Sequence, residues 1–194
     1  PLFVAWAWWR LYGFPWDPRL WVAFFIHDLG YWGSPNMDGP EGERHPEWAM
    51  KVMFRWFDRI GVVSTLLDGF FGFKGNDYWS RFVLYHSRFY AKKHGANPYR
   101  LCIADKLAIC LTPWWLYLPL ARVTGEIDEY RELGKDGGAA KKYTSMNVWS
   151  DDEKRWYLNV QTYLRRWVEE HRDGREDTWT PDSREALDET GVWS

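Results

Sequence analysis

The sequence reads as an all-α chain. No stretch alternates apolar and polar residues with a period of two, helix-start signals recur along the chain, and the runs between Gly and Pro breaks have helical length. At 194 residues and 23.3 kDa the chain suits a single domain with a substantial core. The expected division is a helical domain over residues 1–172 and an acidic, partly disordered tail over 173–194.

Residues 2–12, beginning Leu2-Phe3-Val4-Ala5-Trp6-Ala7-Trp8-Trp9, are apolar nearly all round, which predicts a buried helix stopping near Gly13. Asp17-Pro18 is a cap followed by proline at the first helical position, opening a helix that runs to Leu29 with Gly30 as its stop. Residues 31–44 hold three Gly, two Pro and an Asn and read as a loop, long enough to expect a lid. Pro46 begins a helix to about Asp58, with His45 at its cap. A short helix is expected over 60–73 and a longer one over about 78–92, carrying His86. Asn97-Pro98 repeats the cap-then-proline signal ahead of Leu101, Ile103, Ala104, Asp105, Leu107 and Ala108. Pro113 breaks that helix, and the aromatic segment Trp114 to Leu120 leads into a more polar helix ending near Gly134. After a Gly/Lys-rich loop over 135–145, Ser150-Asp151-Asp152-Glu153 is a capping box for a last long helix to about His171.

A net charge of -2 and a pI near 6.3 leave no global basic footprint, so duplex nucleic acid is not indicated as a partner. Aromatic residues make up 20% of the chain, with 16 Trp, and a bulky core is the favoured explanation over a stacking or lipid-contact surface. Cys102 and Cys110 fall on one expected helix, a rise of about 12 Å apart, too far for a disulfide. Free thiols fit a reducing cytosol, and a cytoplasmic location is expected. The longest apolar run, Leu107 to Ala121, falls short of the roughly 20 residues of a transmembrane helix and contains Pro113 and Pro119. No basic-then-apolar leader opens the chain.

His27-Asp28 is the pair around which function is sought. An imidazole beside a carboxylate at the end of an apolar run is costly to bury unless both have a partner, and a divalent metal suits both. Neighbouring helical side chains diverge by about 100°, so a shared ion sits beyond the helix end. Further candidate ligands are His45, His86 and Asp105, the last inside an apolar pattern where an unpaired carboxylate is expensive. Arg88, Lys92, Lys93, His94 and Arg100 cluster after His86, and Lys106 adjoins Asp105. They are candidates to bind phosphate, with His94 protonating a leaving group, or else form a solvated basic face. Glu41 and Glu43 either orient a ligand or sit at the surface, and His171 is placed to complement a helix dipole.

The ordered set His27-Asp28, His45-Pro46-Glu47-Trp48-Ala49, His86 and Ala104-Asp105-Lys106-Leu107 resembles the HD superfamily of metal-dependent phosphohydrolases, over roughly residues 18–112. The similarity is closest to members with two extra histidines between the His-Asp pair and the final Asp. It implies an HD-type helical bundle in which Asp28 bridges two metals, His27 and Asp105 complete one site, and His45 and His86 complete the other. One departure stands out: such members usually carry a further ligand, most often His, on the preceding helix, and no His precedes His27. Either that ligand lies upstream of Pro1 or the first site is altered.

The implied cofactor is one or two divalent transition metals per chain, Mn, Fe, Co or Zn. Two such ions bring about four positive charges against about two from Asp28 and Asp105, a balance that attracts phosphate and acidifies water. The implied reaction is hydrolysis of a phosphate ester of a nucleotide or related small molecule. Asp28, Lys106 and His94 are its catalytic candidates, and Arg88, Lys92, Lys93 and Arg100 its phosphate ligands. Tyr31-Trp32 or Trp114-Trp115 could stack a base. Two other readings remain: an HD-type di-iron oxygenase, and an impaired module that binds a nucleotide or partner without turnover. The Trp-rich segments form either a substrate wall or a dimer face, which leaves a homo-oligomer open.

Overall fold

The computed structural model describes residues 1–32, 42–59, 61–123, 127, 150 and 152–173, and among these the chain is all-α, without a strand. They fall into two compact units: Pro1–Ala108 with Arg172 and Asp173, and the residues from Ile109 to His171. The expected loop over 135–145, the helix end near Gly134, the tail beyond Asp173 and the middle of the expected lid lie outside the described residues.

In the first unit, helix α1 (Leu2–Tyr12) ends at Gly13, whose φ of 89° lets its N–H reach back to Trp9 O. It buries Val4, Ala5, Ala7 and Trp8 but exposes Leu2, Trp6 and Trp9, which corrects the expectation of a buried helix. The bulky-core account of the tryptophans fails with it. Trp8, Trp79, Trp156 and Trp167 are buried, whereas Trp16, Trp32, Trp48, Trp56 and Trp115 join Trp6 and Trp9 in solvent. Helices packed on one side leave their opposite face uncovered, whatever its residues.

Helix α2 (Pro18–Ile26) starts on Asp17, whose carboxylate accepts the N–H of Arg19. It ends before Leu29, so His27 and Asp28 lie in a turn that runs into a 3-10 segment, Leu29–Tyr31. Helix α3 (Pro46–Met53) continues as one π turn, Phe54–Asp58, and α4 (Val62–Phe71) follows. The single helix expected over 78–92 is two, α5 (Tyr78–Leu84) and α6 (Arg88–Lys93). Helix α7 (Arg100–Leu111) begins two residues after Pro98.

Trp8 packs against Phe24 and Phe82, with ring centroids 5.6 and 5.7 Å away, and α3 lies along α5. Arg19, fully buried, pairs with Asp17 at 2.8 Å and Asp68 at 2.5 Å and lies 4.6 Å over the Trp79 ring. Asp58 closes the start of α5, accepting from Trp79 N at 2.9 Å and Ser80 N at 2.7 Å.

The second unit is built on α8 (Trp114–Val123) and α9 (Glu153–His171). The aromatic segment after Pro113 is thus itself helical. Asp152, rather than Ser150, caps α9 by accepting Arg155 N. Leu118, Ala121, Ile127, Trp156 and Tyr157 form its core. One stripe of α9 caps the end of α7: Gln161 Nε2 donates to Ile109 O and Thr112 O, Tyr157 Oη lies within hydrogen-bond reach of both and shares its single hydrogen between them, and Arg165 donates to Cys110 O. Those are carbonyls that Pro113 leaves open, having interrupted the helix. Cys102 and Cys110 are buried thiols outside any disulfide, and no single described helix is long and apolar enough to cross a membrane.

Candidate metal centre

The five candidate ligands come from four places in the first unit. His27 and Asp28 occupy the turn after α2, His45 the cap of α3, His86 the break between α5 and α6, and Asp105 the middle of α7. All three imidazoles are buried, and Asp28 is half exposed at 48%.

Each ring is held the same way. His27 Nδ1 lies 3.2 Å from Phe24 O, His45 Nδ1 2.7 Å from Gly42 O, and His86 Nδ1 2.5 Å from Val83 O, in each case the carbonyl three residues upstream. A carbonyl only accepts, so each Nδ1 carries the hydrogen, and in its neutral form each ring turns an Nε2 lone pair toward the centre. The backbone therefore sets the tautomer of all three.

Those lone pairs converge. His45 Nε2 and His86 Nε2 are 3.1 Å apart, and Asp28 Oδ1 is 3.2 Å from the second and 3.7 Å from the first. On the other side, Asp28 Oδ2 is 3.0 Å and Asp105 Oδ1 3.5 Å from His27 Nε2. Close as they are, neither is aligned for a hydrogen bond, and His27 Nε2 is a buried nitrogen without one among the described residues. The ligand atoms of His27, Asp28 and His86 lie within 4.8 Å of one another. Nitrogens and carboxylate oxygens that face one another so closely must share protons or a cation, and the donor set, imidazole with carboxylate, fits a divalent transition metal.

The electrostatics agree with that fit. Burial opposes charge on His27, but Asp28 and Asp105 outweigh it and raise its pKa from 6.5 to about 10. Burial and the neighbouring His86 push His45 down to about 3, so His45 is neutral with its lone pair ready. Burial would raise both carboxylates, yet His27 and His86 hold Asp28 well below the usual range and Lys106 with His27 brings Asp105 to about 2. Lys106 Nζ sits 3.2 Å from Asp105 Oδ2, which raises its pKa against the effect of burial and keeps it charged. Lys106 is thus held as a positive charge beside Asp105.

Other expected residues stand elsewhere. His94, exposed at the end of α6, has Tyr85 and Tyr90 as its ring neighbours, and Lys93 lies over Phe89 and Tyr90. Arg100 stacks on Tyr12 in a cleft of about 490 Å³ with Tyr78, Tyr99 and Arg172. None of these three contacts the imidazole cluster. Arg88 is partly exposed and Lys92 exposed on α6. Tyr31 is no free stacking wall, since its face lies on the His45 ring at 3.9 Å and 16°, whereas Trp32 is 91% exposed. Trp114, in the second unit, lies beneath Lys154. His171 is buried, its Nδ1 on Trp167 O, and Glu41 is outside the described residues.

Two kinds of contributor went unseen in the sequence. The carbonyls of Phe24, Gly42 and Val83 have no signal there beyond lying three residues before each His. Gly30, taken for a helix stop, is required by closeness: a Cβ on it would meet His45 O at 1.9 Å.

No model of a known family matches the chain, and neither a curated protein nor a solved structure matches it.

Proposed function

We propose that this chain is an HD-type metal-dependent phosphohydrolase, cleaving a phosphate ester of a nucleotide or related small molecule. The observation that carries this reading is the division of Asp28, with Oδ2 toward His27, whose Nε2 also faces Asp105 Oδ1, and Oδ1 toward His45 and His86. Each half offers three ligand residues, with Asp28 common to both, an arrangement suited to one or two ions of Mn, Fe, Co or Zn with positions left open. When bound, such ions lower the pKa of water and stabilise charge on phosphoryl oxygens. The chain's own part is positioning. The three Nδ1–carbonyl bonds fix ring orientation, Tyr31 braces His45, and Lys106 keeps positive charge beside Asp105. The half exposure of Asp28 leaves the centre open to a small anionic substrate.

The test is elemental analysis of chelator-free protein together with phosphate and pyrophosphate release from nucleotides and cyclic dinucleotides, on the wild type and on Asp28→Asn. One or two transition metals per chain and measurable release are expected. Asp28→Asn keeps the shape but removes the shared charge, and should lower release by at least about 100-fold. Metal without release from any of these substrates would defeat the hydrolase, and oxygen consumption by iron-loaded protein would replace it with the oxygenase reading. Absence of metal in the wild type would defeat both.

A further inference from the structure

Helix α4 is built inside out. Of its three polar residues Thr65 is exposed and two turn inward: Ser64 Oγ closes the start of the helix, taking Gly61 N and donating to Arg59 O, and Asp68 pairs with buried Arg19. Its outward stripe is apolar, with Val63 and Leu66 each 59% exposed and Phe70 84%. The stripe continues on both sides, to Phe73 and, across a cleft shared with Val63, to Trp56. A soluble helix normally presents the opposite pattern, so this face is made for something other than water.

The charges around it say what. Between Phe54 and Lys74 the only carboxylates are Asp58 and Asp68, and both face inward, one on the amides of Trp79 and Ser80 and the other on Arg19. The cations Arg55, Arg59 and Lys74 are exposed and enter no ion pair among the described residues, and Arg55 and Arg59 line the same cleft as Trp56 and Val63. A second copy of the chain docked on this face by two-fold symmetry would set those arginines against their own copies. An anionic bilayer surface meets both features, taking the aromatic and aliphatic side chains at headgroup depth and pairing the cations with lipid phosphates and carboxylates.

We propose that the face formed by Trp56, Val63, Leu66, Phe70 and Phe73, flanked by Arg55, Arg59 and Lys74, binds the surface of an anionic lipid membrane. The contact is peripheral, and it does not depend on metal or catalysis at the His-Asp cluster.

Sedimentation of the full chain with vesicles of phosphatidylcholine, with and without phosphatidylserine, tests this. Binding to the anionic vesicles alone, weakened by salt, is expected. Leu66→Glu and the pair Arg55→Glu/Arg59→Glu should each lower it by about tenfold or more. Leu66→Phe should retain it. All of these positions face solvent, and unchanged unfolding midpoints would establish that loss of binding is not loss of fold. The proposal is overturned if the chain sediments with neither vesicle or if the charge variants bind as the wild type does. It is equally overturned if ultracentrifugation finds a dimer that Leu66→Glu dissolves while vesicles are ignored, or if polyglutamate binds and vesicles do not.

Discussion

His27 carries a proton that the proposed metal must displace. In metal-free protein its Nε2 is held protonated up to about pH 10 by Asp28 and Asp105, whereas His45 is already neutral above about pH 3. Filling the His27 side at pH 7 should therefore release about one proton per ion, and affinity there should rise about tenfold per pH unit until pH approaches the folded pKa. Calorimetry in buffers of different ionisation heat measures that proton, and a binding heat independent of buffer would remove His27 from the ligand set. The same shift acts on stability. The unfolded chain releases the proton near 6.5 and the folded one near 10, so metal-free protein loses stability as pH rises between them, and metal-loaded protein does not. Denaturant midpoints at pH 6 and pH 9, with and without metal, test the difference. The residue types and their order were legible in the sequence, because burying His27 beside Asp28 has few inexpensive solutions. The proton positions were not, since they depend on where the carbonyls of Phe24, Gly42 and Val83 point.

At the scale of elements, the sequence located helix starts better than interruptions. Asp17-Pro18 and the Ser150–Glu153 box marked their helices through local chemistry, a carboxylate reaching a free amide. The break between α5 and α6 has no Gly or Pro to announce it. There the amides of His86 and Ser87 bond to Val83 O and Leu84 O, each at 3.3 Å, a tighter turn that lets the His86 ring take the same Val83 carbonyl. The aim of His86 thus depends on how α5 is seated, and Asp58 seats its start. Asp58→Ala should cost about 1–2 kcal/mol through the two amides it uncovers. Denaturant unfolding measures this, and a change below a few tenths would mean that water serves those amides equally well.

Across the first unit, what joins the helices is partly ionic. Arg19 ties the start of α2 to α4 and stacks on Trp79 of α5, out of reach of water. Arg19→Met would leave Asp17 and Asp68 facing each other without their cation and should destabilise by about 3–5 kcal/mol, whereas Arg19→Met with Asp68→Leu should recover part of the loss. Thermal and denaturant unfolding of both variants tests this, and equal stability of the two would count against the pairing. Its link from Arg19 to Asp68 spans 49 residues of sequence and could not be read there, although the all-α class could, from capping and periodicity alone. The tryptophans misled for the same reason: composition says how much apolar surface a chain has, not which faces find a neighbour. Gly30 is the reverse case, a residue with nothing to contribute except room. The chain just after Asp28 passes so near His45 that any side chain would drive the two apart, so Gly30→Ala should reduce metal content even where the fold persists, as elemental analysis would register. In a scan of every position for tolerance to replacement, Gly30 would rank with the imidazoles, a silent member of the proposed coordination set whose absence of atoms sets the distance between the others.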